Sequence, residues 1–358
     1  MFSWGRCPEL RRLAEELGLE VVRALPRGAA RYLWTEGKLR KFPSFSLLFP
    51  LLPALLREWR APSRKGDETI AQFAERRVGK RAAELLFDPL TLGVYAGSMR
   101  ELSILSCFPE LKRWEEAYGS LTKGLLKERG SEDAGLFTFA GGVQSLTDAL
   151  ARKLQGRIHY GEEAMSLRED AQGVEVVTQR GRWRGERLIC AAPPQASAVL
   201  FPQAREAFAA IPMLGVTVVN LGYPEDVLPV KGFGYLVPSC AQEEILGTVF
   251  DSAVFPLQSQ ETRLAVMIRG TDKTDAAYTG IALRAVQRHL RVQAPPAVSR
   301  VCRAPAAIPQ YAVGHAERME RLRQWLAAAF PRCRLVGNYL EGASVNACAA
   351  RGRAVTCI

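Results

Sequence analysis

The residues with the clearest chemical potential lie near the end of the chain. Gly337-Asn338-Tyr339 is followed by Gly342-Ala343-Ser344-Val345-Asn346-Ala347-Cys348. The segment reads as a short apolar strand at Leu335-Val336, a glycine turn and a helix start. Gly337 and Gly342 let the backbone turn tightly or approach another molecule closely. Ser344 can cap a helix that begins at Val345 or Asn346. The first turn of such a helix points free N–H groups at an anion or a polarised ring edge. Dinucleotide cofactors use this geometry. So does an ordinary strand-to-helix turn, and on spacing alone the ordinary turn is the commoner. Other chemistry is hard to find. His159, His289 and His315 are far apart and form no H-E-x-x-H, and the eight cysteines contain no C-x-x-C pair. No metal site and no obvious catalytic acid or base follows from these spacings.

Several elements must position that segment. Pro8 to Leu17 reads as a helix, with Leu10, Leu13, Ala14 and Leu17 on one face and Gly18 past its end. Arg31 to Trp34 and Lys38 to Phe42 flank Glu36-Gly37 as a hairpin; Arg31, on pattern alone, is a solvent-facing strand residue. Phe42 to Leu56 is the longest apolar stretch, broken by Pro43, Pro50 and Pro53. It is shorter than the roughly 20 residues a bilayer span needs. With Arg57 and Arg60 behind it, it can lie in a membrane interface, or it can wall a core or tunnel. Asp67 to Glu128 is helical in pattern. Asp88-Pro89 is expected to break the run, and Gly93 and Gly97 to frame a turn. Phe137 to Gln144 is a strand, a Gly pair and a helix start. Short strands are expected at Ile158 to Tyr160, Ala164 to Leu167, Val174 to Thr178 and Leu188 to Ala192. A second sheet is expected from Val216 to Leu221, Phe233 to Val237, Ile245 to Phe250 and Leu264 to Ile268. Thr279 to Arg291 and Ala316 to Phe330 read as helices, with Cys302 to Tyr311 a connection between them.

With 358 residues, the chain is too long for one simple core, and two interleaved domains are expected. Hydrophobic residues at 48% and charged residues at 24% are ordinary for a globular protein. Lys plus Arg exceed Asp plus Glu by 48 − 37 = 11, which suits anionic partners. The arginines are scattered, without basic runs interleaved with aromatics, so no nucleic acid is expected. The N-terminus has no apolar run of signal-peptide type.

Two sets of residues resemble one family. One is the C-terminal segment quoted above. The other is Asp88-Pro89-Leu90, Gly93-Val94-Tyr95-Ala96-Gly97, Glu101-Leu102-Ser103 and Ser106-Cys107-Phe108-Pro109-Glu110-Leu111. In this order they resemble the oxygen-dependent protoporphyrinogen oxidases, of the flavin amine-oxidase-like superfamily, from about Phe2 to Cys357. The resemblance implies a mixed α/β chain with an FAD-linked two-domain fold. Residues 1–25, 137–200 and 315–358 would form an incomplete FAD-binding domain. Residues 26–136 would form a helical, membrane-facing lobe, and 201–314 a substrate-binding sheet. It implies oxidation of protoporphyrinogen IX to protoporphyrin IX, with FAD as cofactor and O2 as acceptor. Ala164 would lie beside the adenine. Gly337, Asn338, Gly342, Ser344, Val345 and Asn346 would hold the flavin end. Arg31 would bind a propionate, Phe233, Leu236 and Met267 would wall the macrocycle, and Gly97 would offer backbone contact. Arg269 stands where relatives usually have a small residue. A cytoplasmic protein, peripheral on the inner face of a membrane and with room for a homodimer, fits this picture.

The resemblance lacks its usual beginning. No G-x-G-x-x-G opens a helix after a strand; Gly232-Phe233-Gly234 lacks the third glycine. That fingerprint would lie before Met1, in roughly 60 residues covering one βαβ unit and its following segment. Without it, weak FAD binding and an exposed strand edge are expected. Two rival readings remain. One is a related flavin amine oxidase or desaturase, against which Asp88-Pro89-Leu90 and Ser106-Cys107-Phe108-Pro109 argue. The other is an inactive fragment that holds no FAD.

Overall fold

The Glu36-Gly37 turn sets the pattern for the larger sheet. Both residues have positive φ, 52° and 72°, the conformation that a tight two-residue hairpin demands. It joins Arg31–Thr35 to Lys38–Phe42, with Thr35 opposite Lys38. In this computed structural model, residues 2–3, 7–128, 135–256 and 261–356 are described; Trp4-Gly5-Arg6 and Cys357 of the family resemblance lie outside the described residues. The chain divides into two compact units. One contains Met1–Gly5, Val22–Thr138 and Met213–Val313; the other contains Arg6–Val21, Phe139–Pro212 and Gly314–Ile358. Of the stretches 26–136 and 201–314, expected as separate lobes, residues 26–136 and 213–313 fall within the first unit, and 201–212 and 314 within the second.

The first unit is built on a seven-stranded sheet. Its order is Val298–Pro309, Met213–Tyr223, Thr262–Arg269, Ile245–Phe250, Gly234–Leu236, Arg31–Thr35, Lys38–Phe42. Alternation splits each strand between two faces. On one face Val219, Leu221, Tyr235, Phe250, Leu264, Val266 and Ile268 pack against Tyr278, Ile281, Ala282, Ala285 and Val286 of the Asp275–Leu290 helix. Each buried Val, Leu, Ile or Phe side chain among them contributes about 1.5–3 kcal/mol of transfer free energy. The helix begins four residues before the expected Thr279. Its cap is Thr274, whose Oγ1 accepts a hydrogen bond from the Ala277 N–H at 3.3 Å.

The other face carries the Asp88–Tyr95 helix. Leu92 and Ala96 pack on Val216 and Leu246, with Leu214, Val218, Met267 and Ile308 around them. The expected break at Asp88-Pro89 does not occur. Ala83–Phe87 form a wide π turn, in which the Asp88 N–H bonds the Ala83 carbonyl five residues back. Pro89 then sits in the first turn of the next helical segment, where its missing N–H costs no helical bond. Gly93 is therefore inside a helix, and the chain turns instead at Ala96, with φ 51°. The Asp88 carboxylate accepts the Ser239 N–H at 2.6 Å and pins this helix to the end of the sheet.

Cys302 to Tyr311, expected as a connection, belongs mostly to the Val298–Pro309 strand, paired along Met213–Tyr223. Pro305-Ala306-Ala307 gave no strand signal, but an edge strand tolerates proline. The helical part of this unit holds a buried ion network. Arg77 is fully buried and donates to Glu58 at 2.6 Å, the Gly119 carbonyl at 2.6 Å and Glu115 at 3.3 Å. Arg76 reaches Glu115 at 2.7 Å and Glu68 at 2.5 Å, and Lys112 reaches Glu115 at 2.7 Å.

In the second unit Cys333–Leu335 runs parallel to Leu188–Cys190, and the Val336 N–H continues the ladder to Cys190 O at 3.0 Å. Ala191 and Ala192, expected in the latter strand, lie beyond it. Ala164–Asp170, Gly173–Thr178 and Arg182–Gly185 form an antiparallel sheet. Ile158 to Tyr160 is not a strand. Gly156 and Gly161, with φ 80° and 69°, bend the chain on both sides of it.

Candidate functional site

One row of residues crosses the sheet of the first unit. Val218 pairs with Met267, Met267 with Gly247, Gly247 with Leu236, and Leu236 with Leu33. Met267 lies on the face of the Asp88–Tyr95 helix, opposite Val266 and Ile268, which enter the other core. Leu236 likewise alternates with the core residues Tyr235 and Val237, and its side chain lies against Gly93 of that helix. Arg31, two residues before Leu33, shares its face.

Arg31 is exposed, and its guanidinium carbon sits 5.5 Å from the centroid of the Phe233 ring, within cation–π range. Among the described residues it has no carboxylate partner. Phe233, Leu236 and Met267 are each only partly buried, so their apolar surface is incompletely covered. Four of the five expected substrate residues thus belong to one region of the sheet: Arg31 beside Phe233, and Leu236 and Met267 in one cross-strand row.

Gly97 is placed differently. It is buried, and a side chain there would run into Gln310 and come within 2.8 Å of Leu102. Internal packing accounts for this glycine. Gly93, expected with Gly97 to frame a turn, is the glycine that approaches this row. A Cβ on it would lie 2.5 Å from Leu236 Cδ2. Leu90 and Val94, flanking it on the same helix, are 39% and 48% exposed. Their i, i+4 spacing was the available signal for an apolar wall.

A polar cluster backs the same strands from the opposite face. Trp34 stacks on His289 with centroids 3.9 Å apart. Tyr235 Oη lies 3.0 Å from His289 Nδ1, and the Trp34 N–H donates to Glu243 at 3.3 Å. Burial, helped by the Arg288 charge, pushes the His289 imidazole down to about 4. It is therefore neutral at physiological pH. Trp34 and Tyr235 sit one residue from Leu33 and Leu236, so this cluster locks the register that sets Arg31 beside Phe233.

In the second unit the C-terminal segment forms as its composition suggests. Val345–Thr356 is helical, and Ser344 Oγ accepts the Ala347 N–H at 3.1 Å. Gly337 and Gly342 have φ 152° and 67°. A Cβ on Gly337 would strike the Tyr339 ring at 2.7 Å, and one on Gly342 would strike Ala347 at 2.7 Å. The N–H groups of Val345 and Asn346 are first-turn donors that no helical bond uses. The Asn346 side chain also holds the fold together. Its Oδ1 accepts the Leu10 N–H at 3.0 Å, supplying the cap that the Pro8–Glu16 helix lacks at Cys7. Its backbone N–H and its side-chain Nδ2 are left for a ligand. Asn338 lies between the two glycines. Ala164 opens the Ala164–Asp170 strand opposite Thr178. A glycine-bracketed turn leading to open helix N–H groups fits the polar edge of a flavin ring.

The chain is similar in sequence and fold to known proteins. The family model described as flavin containing amine oxidoreductase matches residues 2–357. The chain is 34% identical to protoporphyrinogen oxidase of Bos taurus, over 93% of this chain and 76% of that protein. It is 26% identical to coproporphyrinogen III oxidase of Bacillus subtilis, over 92% of this chain and 75% of that protein. A crystal structure from Exiguobacterium sp. 255-15 matches with a TM-score of 0.85 at 20% identity, over 99% of this chain and 85% of that one.

Proposed function

Since this chain belongs to the flavin containing amine oxidoreductases and, among them, to the protoporphyrinogen oxidases, we infer that it oxidises protoporphyrinogen IX to protoporphyrin IX, with FAD as its flavin and O2 as terminal acceptor. Six electrons and six protons leave the ring, and three O2 become three H2O2. The observation that carries the reading is Arg31: an exposed arginine without a carboxylate partner among the described residues, set over Phe233 beside Leu236 and Met267.

Arg31 binds a propionate through two parallel N–H donors. The Phe233 ring shields one side of the guanidinium and strengthens that contact. Leu236 and Met267, with Leu90 and Val94, exclude water from the apolar ring. A bound flavin supplies the electron acceptor. Val345, Asn346 and the Gly337–Gly342 turn would hold its polar edge with backbone N–H groups. No side-chain acid or base is required of this chain.

A membrane surface is part of the proposal. Phe45, Phe49, Leu52, Leu56 and Trp59 are 79%, 61%, 51%, 60% and 55% exposed. They recur at helical spacing along Phe45–Leu48, Phe49–Leu51 and Leu52–Arg60. Arg57 and Arg60 follow at the last turn. Such a stripe supports lying in the interface. No helix among the described residues is long and apolar enough to cross a bilayer.

The test is to incubate the protein with protoporphyrinogen IX in air and follow porphyrin fluorescence with and without added FAD. Porphyrin formation that needs both protein and FAD is expected. A rate no faster than autoxidation at saturating FAD would overturn the proposal.

A further inference from the structure

Arg269 stands on the same sheet face as Met267, two residues further along the strand. Val266 and Ile268 enter the core beneath the Asp275–Leu290 helix, so Met267 and Arg269 face the other way. Arg269 is exposed. Among the described residues it has no ion-pair partner, although acidic groups are close in sequence. The register sets Ile245 opposite Ile268, which brings Glu244 next to Arg269 across the strands. Glu244 instead turns to Arg284 at 3.0 Å. Asp272 accepts from Tyr278 Oη at 3.3 Å, and Asp275 pairs with Arg303 at 2.5 Å. The nearby carboxylates are drawn elsewhere, and the Arg269 charge is left unneutralised.

We propose that Arg269 is a second carboxylate anchor, which lets this chain take porphyrinogens that carry carboxylates on opposite edges of the ring. This rests on the reading of Arg31 given above and extends it. The Thr262–Arg269, Gly234–Leu236 and Arg31–Thr35 strands run parallel to one another. Arg31 precedes the Met267–Leu236–Leu33 row by two residues, and Arg269 follows it by two. Their Cα atoms are three strands apart sideways and four residues apart along the strands, hence roughly 20 Å apart on the diagonal. Two propionates on one ring edge, as in protoporphyrinogen IX, engage one such anchor. A ring with four propionates spread around its rim, as in coproporphyrinogen III, can engage both. Each arginine–carboxylate fork then offsets the desolvation of one propionate.

The planar porphyrins serve as binding probes that need no turnover. The full chain, with FAD supplied, is titrated with coproporphyrin III and with protoporphyrin IX, following porphyrin fluorescence. Arg269→Ala is expected to weaken coproporphyrin about tenfold or more, the loss of one charge-assisted contact, while protoporphyrin changes by less than about twofold. Arg269→Lys should recover part of the loss. Arg31→Ala should weaken both porphyrins. Equal loss for both porphyrins in Arg269→Ala, or none for coproporphyrin, overturns the role of Arg269 alone, provided Arg31→Ala still weakens both. If neither porphyrin binds the wild-type chain, the porphyrinogen reading itself fails and Arg269 with it. An unchanged thermal midpoint for Arg269→Ala checks that the fold is intact.

Discussion

Arg77 and Arg31 belong to the same unit and meet opposite fates. Arg77 is fully buried and donates to two carboxylates and to the backbone carbonyls of Glu58, Ala61 and Gly119. Arg31 is exposed, has an aromatic ring for a neighbour, and lacks a carboxylate partner among the described residues. The helical region balances Arg76, Arg77 and Lys112 with Glu58, Glu68 and Glu115. On the sheet face, Arg31 and Arg269 have no ion-pair partner among the described residues, while Arg40 pairs with Glu36. A charge satisfied within the chain acts on folding. A charge left unsatisfied beside incompletely covered apolar side chains is available to a ligand.

Breaking the buried network should give the largest effect. Arg77→Ala leaves Glu58 buried without its only cation among the described residues, while Glu115 keeps Arg76 and Lys112, and should cost about 3–5 kcal/mol of stability, read from denaturant midpoints. Any folded fraction should keep its porphyrin affinity. A loss below about 1 kcal/mol would erase the contrast with Arg31.

The exposed stripe extends the comparison to apolar groups. Phe49→Ser with Leu56→Ser removes two side chains that the protein leaves uncovered. Binding to anionic liposomes should fall by about tenfold or more, with stability nearly unchanged. Equal sedimentation of the variant and the wild type with liposomes would remove the membrane role. Backbone donors obey the same rule. Ser344→Ala strips the cap from the Val345–Thr356 helix and should cost about 1 kcal/mol, while Asn346→Ala should loosen the Pro8–Glu16 helix, visible as faster amide exchange at Leu10.

The smallest effect is a pH dependence. His289 is held neutral by burial, at about 4 against an ordinary 6.5. Its folded value lies below its unfolded value, so protons favour the unfolded chain. Its contribution is intact above pH 6.5 and is lost as pH falls toward 4. Buried carboxylates also weaken in acid, so the informative quantity is the wild-type minus His289→Gln difference in stability. That difference should shrink steadily from pH 7 to pH 4. A constant difference would mean that His289 is not held neutral.

Local chemistry made much of this legible. The hairpin at Glu36-Gly37, the Ile245–Phe250 strand and the cap at Ser344 each follow from a few adjacent residues. The helix through Asp88-Pro89 did not, because a π turn absorbing a proline depends on what packs around it. The Val298–Pro309 edge strand was hidden because pairing along Met213–Tyr223, not its own composition, makes it a strand. Within the site, Arg31, Phe233, Leu236 and Met267 came from family resemblance; alternation alone could not show that they share a region. Gly97 carried the same signal, and the structure sets it against Gln310 and Leu102. Arg77 looked like any helical arginine until Glu58, Ala61, Glu115 and Gly119 were brought together from distant segments.

The central claim is that Arg31 acts on substrate and not on folding. The most direct measurement is kcat/KM for protoporphyrinogen IX, with FAD supplied, in wild type and Arg31→Ala, alongside their unfolding midpoints. Removal of the fork should cost about 2–4 kcal/mol in transition-state binding, tens- to several-hundred-fold in kcat/KM, while stability moves by no more than about 0.5 kcal/mol. Unchanged kcat/KM in a well-folded Arg31→Ala variant would contradict the account.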